Sequence, residues 1–491
     1  MSAQAMVFPA TAVGLPKEVM FDLPPQLPDS ARAYSAHIAP DGITVVTGPT
    51  TSATSFVANA PGLVNQAFTS QQISFTLPSG QSPSTFLDTH STSLSFNLTW
   101  QVGTASSVTG GLCQLIGGAS SFFESLQLVS NNTPLESISS YGQLANIAIT
   151  NLCNYADRYG SISFAGLDVN GQSGIDLPHA ATATHQISFT IPLMSIIGQN
   201  NQSGKYLPIG LINNLQLFLT TSALLPVTTF CTAVTTSAVF TTPTLSQFSL
   251  NLKYVDIGSN AVMNSAKGGK IYIKVNTWTN SNVTVPNGSL GASSLLFQIR
   301  NSSVKSLFWY QSIAQTAASS NGSYCCLNNG FATKAQVVIG GSRFPQRELN
   351  PSQRPSEAMH HLAQAWGLGG DWQKFSGVLS RETFGATIPS LGTNPDLSLV
   401  VPSSGTRAAP TGSDTGSIAQ VKSPSMHILG VDLEKCSSSV LFQGINTRST
   451  PPFVEYNFGV ATTSTATCYG FAISDVVLEV DIGSKQIVAY I

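Results

Sequence analysis

From residue 73 onward the chain alternates apolar and polar side chains in short runs. Ile73-Ser74-Phe75-Thr76-Leu77 is followed by Leu94-Ser95-Phe96-Asn97-Leu98-Thr99-Trp100-Gln101-Val102, in which every second side chain is apolar. A period of two sends one face of a strand to a core and the other to solvent or a partner. The pattern recurs at Leu126-Gln127-Leu128, Ile187-Ser188-Phe189-Thr190-Ile191, Leu215 to Leu219 and Phe248 to Leu252, between clusters of Gly, Asn, Ser and Pro. These runs predict antiparallel sandwich strands joined by long loops. One helical spacing interrupts them over 140–149, with Tyr141, Leu144, Ile147 and Ala148 on one face and Ser139 or Ser140 as candidate cap.

The second half repeats that order. Strands are expected at Ile271 to Val275, Leu295 to Ile299, Leu307 to Tyr310 and Val337 to Ile339, then a helix from Ser356 to Trp366. Further strands follow at Ile428 to Leu433, Phe453 to Phe458 and Val476 to Val480. Both halves close on one pentapeptide, Val255-Asp256-Ile257-Gly258-Ser259 and Val480-Asp481-Ile482-Gly483-Ser484, 480 − 255 = 225 residues apart. Strand order, helix position and closing peptide agree on a tandem duplication with its boundary near Gly258 to Lys270. Residues 1–68 are rich in Pro, Ala and Thr without a sustained period, so they read as an extended arm, ordered against a neighbour. The expected domains are 1–68, 69–260 and 261–491.

Composition sharpens the picture. Charged residues make up 9% of the chain, hydrophobic ones 42%, and 21 basic against 23 acidic side chains leave a net charge of −2. Such a surface is polar and nearly uncharged, and it offers no field for neutralising nucleic-acid phosphates. The arm is no exception, with Lys17 and Arg32 against Glu18, Asp22, Asp29 and Asp41. The first residues do not read as a secretory signal, and no apolar run is long enough for a membrane span. Seven cysteines, an odd number without a Cys-x-x-Cys pair, fit reduced thiols better than a disulfide framework. Asn-x-Ser/Thr sequons, among them those at Asn97, Asn201, Asn282, Asn287, Asn301 and Asn321, are expected from chance in so Asn- and Ser-rich a chain.

Candidate chemistry is sparse. His360-His361 with Asp371 suggests a metal or acid-base site, but adjacent helical residues point about 100° apart and do not converge on one ion. Cys325-Cys326 reads as packing. Gly268-Gly269-Lys270 and Gly340-Gly341 lack phosphate-loop spacing and read as turns. Leu115-Ile116-Gly117-Gly118-Ala119 resembles a Gly-Gly processing site, yet cutting there would split a domain. No catalytic, cofactor-binding or metal-ligating residue is assigned, no cofactor is expected, and the chain is not read as an enzyme.

The elements together specify an all-β chain: two tandem eight-stranded antiparallel jelly-roll sandwiches, each with a short helix and long loops. Ile191-Pro192-Leu193, Tyr206-Leu207-Pro208-Ile209-Gly210-Leu211-Ile212-Asn213-Asn214-Leu215, Val338-Ile339-Gly340-Gly341-Ser342-Arg343-Phe344-Pro345 and Gly444-Ile445-Asn446-Thr447 carry a resemblance. They are similar to segments of the double jelly-roll major capsid proteins of double-stranded DNA viruses. Polinton-like viruses and virophages are nearest; adenovirus hexon and giant-virus capsid proteins are more distant. The resemblance implies a homotrimer of near-hexagonal outline in an icosahedral virion, assembled inside the host cell around double-stranded DNA. Neighbouring capsomers, penton proteins and minor capsid or cement proteins would be its partners. It also implies that one or both of the stretches Asn154 to Thr184 and Ser376 to Ser425 form outward towers; the arm, being unlike a basic genome-binding tail, is expected to tie capsomers together on the inner side. Two other classes stay open. A secreted or surface lectin-like binding protein predicts disulfides and metal-ligand loops. A fibre or single-domain capsid protein with a protruding second domain predicts dissimilar halves.

Overall fold

The computed structural model describes residues 31–47, 61–63, 70–80, 82–101, 112–115, 118–152, 165–166, 184–198, 206–222, 227–230, 241–257, 269–313, 332–351, 353–367, 428–435, 442–458 and 465–490. In chain order the first group of strands is β1 (Arg32–Ile38), β2 (Val45–Thr47), β3 (Pro61–Leu63), β4 (Gln72–Thr76), β5 (Thr85–Gln101) and β6 (Leu112–Leu115). Then come β7 (Phe123–Ser130), β8 (Thr133–Ser139), helix α1 (Tyr141–Leu152), β9 (Thr184–Pro192), β10 (Leu215–Thr221), β11 (Val227–Phe230) and β12 (Thr241–Asp256). The second group is β13 (Lys270–Val285), β14 (Gly291–Leu296), β15 (Val304–Ile313), β16 (Ala332–Ile339), β17 (Ser342–Leu349) and helix α2 (Pro355–Ala365). It ends with β18 (Leu429–Asp432), β19 (Phe453–Phe458), β20 (Ala466–Asp481) and β21 (Gln486–Tyr490).

Pairing is antiparallel, and among the described residues β1 to β12 form sheets only with one another, as do β13 to β21. One sheet of the first group runs β1-β12-β5-β9 and its mate β4-β10-β7-β8; in the second group the sheets run β13-β20-β15-β18 and β14-β19-β16-β17. Numbering the eight main strands of either group from one to eight gives the same two orders, 1-8-3-6 and 2-7-4-5. That is the jelly roll, twice. Additions differ: β2 continues the line of β1 on β12, β3-β11-β6 make a small sheet in the first group, and β21 folds back on β20 in the second.

The duplicated peptide occupies equivalent places. Asp256 pairs with Arg32 and Asp481 with Lys270, so each copy sets its aspartate opposite the basic residue that opens the first strand. The hairpins preceding the helices match as well: Asn131 and Asn132 join β7 to β8, Gly340 and Gly341 join β16 to β17, all four at positive φ. Two-residue turns of this hand suit the twist of the flanking strands. The two glycines expected as a turn are one.

Strand β1 corrects the arm expected over residues 1–68. It pairs along its whole length with β12 of its own chain and supplies the eighth main strand, without which the first sandwich would have seven. Tyr34, Ala36 and Ile38 carry the alternation, with Ala36 and Ile38 packed on the core. Residues 1–30, and the segments expected as towers apart from the buried Ala165 and Gly166, and Thr184 at the start of β9, lie outside the described residues.

Period-two burial fills both sandwiches. In the first, Phe96 on β5 is the hub, 5.4 to 5.9 Å from the rings of Phe122, Phe123, Phe189 and Phe248. In the second, Trp366 after α2 lies 4.2 Å from Phe308 and 5.8 Å from Trp278, seating the helix over β15 and β13. Each fully buried aromatic of this kind contributes about 1.5 to 3 kcal/mol. In α1 the expected face of Tyr141, Leu144, Ile147 and Ala148 is buried.

Candidate assembly surfaces

Nothing described gathers into reactive chemistry. His360 and His361 lie on α2 with ring centroids 6.0 Å apart in an edge-on arrangement, and burial, then the neighbouring His360, lowers the pKa of His361. Asp371 and Cys325-Cys326 lie outside the described residues, within which no three potential metal ligands cluster. Cys468 is a buried free thiol on β20 whose pKa burial pushes far up. Gly118 precedes a buried 3-10 turn over Ala119–Phe122, and Ile116 and Gly117 are not described. Asn301 is buried and donates to Thr279 Oγ1 at 2.8 Å and Ser474 Oγ at 2.7 Å, an internal anchor rather than a glycan acceptor.

The built site is the junction between the two jelly rolls. There β8, an edge of the first, lies along β13, an edge of the second. Glu136 on β8 is 2% exposed and its carboxylate accepts three hydrogen bonds. Ser195 Oγ donates at 2.6 Å and Ile196 N at 2.9 Å from the first roll, and Thr277 Oγ1 donates at 2.9 Å from the second. Beside it, Met194 N donates to Tyr141 Oη at 3.1 Å, and that phenol's pKa is driven up by burial and the Glu136 charge. Ser140 stands directly before α1 at positive φ, and its carbonyl oxygen accepts from Leu144 N at 3.1 Å. Ser139 Oγ donates to Asn280 Oδ1 at 3.1 Å, and Asn282 Nδ2 donates to Ser140 Oγ at 3.0 Å, both across the junction. Lys485, after the duplicated peptide, adds a bond from Nζ to Gly80 O at 2.9 Å.

A second buried charge stiffens β20 near this junction. Asp475 is fully buried and ion-paired with Lys274 at 3.0 Å, and its other oxygen accepts from Ser303 Oγ at 2.9 Å. Toward the end of β20, hydrogen bonds from Lys270, Tyr490 and Tyr272 hold the Glu479 carboxyl below its usual range. Tyr272, Tyr490 and Val488 stand exposed around it.

Sequence reasoning missed Glu136. The signal available was one acid inside a β-patterned run of a chain that is only 9% charged. It also missed β1, although Arg32-Ala33-Tyr34 matches Lys270-Ile271-Tyr272 in type and register.

No family model and no curated protein matches the chain. Solved structures do. PBCV-1 VP54, fitted into a reconstruction of the virophage Sputnik, superposes at TM-score 0.55 with 10% identity over 96% of this chain and 99% of that one. The cryo-EM structure of the Sputnik virophage matches at TM-score 0.51 and 12% identity, over 100% and 95%. The Faustovirus major capsid protein matches at 0.51 and 9%, over 94% and 92%. At such identities the likeness is one of fold, extends over both jelly rolls, and agrees with the strand orders above. The chain therefore has the double jelly-roll fold found in the major capsid proteins of virophages and giant viruses.

Proposed function

We propose that this chain is a capsid subunit, three copies of which close a ring of six jelly rolls that tiles an icosahedral shell. The observation that carries the reading is the polarity of the junction. Inside the chain, the fifth strand of one roll, β8, meets the first strand of the next, β13. The equivalent edges at the two outer ends are β17 and β1, and among the described residues each pairs only within its own sheet. A head-to-tail contact of this kind forms a ring when its rotation closes. Six like units need three chains.

A weakly charged surface supports repeated lateral packing, because many copies meet without accumulating repulsion. By the same reading the shell encloses double-stranded DNA condensed by other components. Penton and minor capsid proteins complete the virion, and assembly takes place inside the host cell.

The equivalence also nominates contacts. Thr277 lies seven residues after Lys270, and the same step from Arg32 reaches Ala39, two residues before Asp41. Arg343 and Arg347 are exposed on β17, and Asp41 is exposed after β1. Arg347→Glu is expected to weaken the trimer about five-fold, the size of one partly screened charge pair. Asp41→Arg in the same chain restores it. Sedimentation of both proteins at low and high salt checks this; equal trimer stability in all variants contradicts the assignment of these edges.

A further inference from the structure

Large apolar side chains left in the open gather in one place. Of the nine exposed among the described residues, Tyr272, Phe442, Val488 and Tyr490, 38% to 57% exposed, collect on the outer face of the sheet where β13, β20 and β21 pair. Opposed residues of paired strands lie on one face. Tyr272, Glu479 and Val488 make one such row and Lys274, Val477 and Tyr490 the next, while Ile273, Leu478 and Ile487 point the other way into the core. Phe442 lies at the rim, its ring centroid 5.9 Å from Lys274 Nζ. Both phenols donate to the Glu479 carboxylate, which holds the rings in place and leaves their surfaces open.

The sequence holds a segment of matching chemistry, Leu23-Pro24-Pro25-Gln26-Leu27-Pro28. Pro-rich segments of this type bind in the polyproline II conformation to aromatic-lined faces, with little ordering left to do because proline has already fixed φ. In that conformation three residues advance about 9.3 Å, so Pro25 and Pro28 stand apart by nearly two strand spacings, about 9.6 Å. Two spacings separate β13 from β21 across β20, and hence Tyr272 from Val488.

Reach decides which copy carries the segment. From Pro28 to Arg32, where β1 begins, four residues span at most about 14 Å. In the same chain β1 lies over β4, tied by Asp41 N to Ser74 O at 2.8 Å, whereas β8, which meets β13, is three strand spacings from β4, about 14 Å, with the aromatic face beyond it. A ring neighbour is no nearer, because β1 meets its β17 and the width of a roll separates β17 from β13.

We infer that the outer face of β13, β20 and β21 is the docking site for residues 23–28 of a second copy of this chain in an adjacent capsomer. The segment binds as a polyproline II strap, with Pro25 and Pro28 over the aromatic rows. A strap imposes no two-fold between the sheets it links, so the joined capsomers keep the same face outward. Its placement between capsomers rests on the ring proposed above; the recognition of the segment does not.

A fluorescein-labelled peptide of residues 20–30, titrated into the full-length protein at concentrations where capsomers are separate, reads the site by anisotropy. Saturable binding is expected, weakened at least ten-fold by Pro25→Ala with Pro28→Ala in the peptide, a change that needs no folding. Tyr272→Ser with Tyr490→Ser in the protein, both at exposed positions, is expected to weaken it as much. In the full chain, Pro25→Ala with Pro28→Ala is expected to weaken association between capsomers at least ten-fold at unchanged capsomer mass. Absence of peptide binding, whether or not another segment covers the face, overturns the proposal. So does a scrambled peptide that binds as well as the native one, or binding that survives the tyrosine substitutions. Capsomer mass in the same samples reports the ring separately: peptide binding by a monomeric chain keeps the docking site and overturns its placement between capsomers.

Discussion

Glu136→Ala is expected to destabilise the folded chain by about 3 kcal/mol and to loosen one jelly roll from the other. The carboxylate accepts from Ser195 Oγ, Ile196 N and Thr277 Oγ1 at 2.6 to 2.9 Å in a site that water does not reach. Truncation leaves three donors buried without an acceptor and opens a cavity, and each unsatisfied donor costs about 1 to 3 kcal/mol, partly recovered if water enters. Thr277→Val removes only the donor from the second roll and should cost about 1 kcal/mol. Glu136→Gln keeps the volume but turns one acceptor into a donor facing a donor, so it falls between the two. Urea unfolding checks the order. A junction role further requires that Glu136→Ala split a single transition into two, because the rolls then melt separately; a single transition of unchanged midpoint contradicts it.

Gly210→Ala should be the most damaging small substitution in the first roll, with Gly444→Ala its counterpart in the second. A Cβ on Gly210 would sit 1.6 Å from the carbonyl oxygen of Ser82, and one on Gly444 would sit 2.4 Å from the carbonyl carbon and oxygen of Val304. Both glycines occupy the segment that runs past the third main strand before entering the seventh, marked by the bridges Leu207 to Leu87 and Ile445 to Val304. The obstacle is backbone in both cases, so relief requires moving a strand or its lead-in rather than a side chain. A cost above about 4 kcal/mol follows, beyond ordinary overpacking. Soluble yield and hydrogen exchange of β5 and β15 report it, and near-native protection in either variant would contradict the close approach.

Long alternating runs such as Leu94 to Gln101 were legible because burial on one face enforces a period of two that composition cannot hide. The duplication was legible for a different reason: the peptide Val-Asp-Ile-Gly-Ser ends the last main strand of each roll, and in the second copy Asp481 Oδ1 accepts from Gly483 N at 2.8 Å and Ser484 N at 3.1 Å to shape the turn. Strand β1 was not, because three alternating positions amid Pro-rich sequence give too short a signal, and its pairing partner lies more than 200 residues away. The strand expected over Leu295 to Ile299 stops at Leu296. Phe297 and Ile299 remain buried and alternate, but Phe297 N bonds Pro452 O and Gln298 N bonds Ser281 Oγ, so the ladder has ended. Local pattern carries burial, not partner identity.

The junction was invisible for that same reason. Ser139 and Ser140 have the sequence signature of a helix cap, and nothing local to them tells that their hydroxyls meet Asn280 and Asn282 of the second roll.

The central claim is that two like rolls in one chain are a third of a closed ring. Light scattering of the purified protein, with negative-stain imaging of the same peak, tests it most directly. The expected result is a stable particle near three times 51.5 kDa with a six-lobed, near-hexagonal outline. A monomer at every salt concentration and protein concentration tried would contradict it.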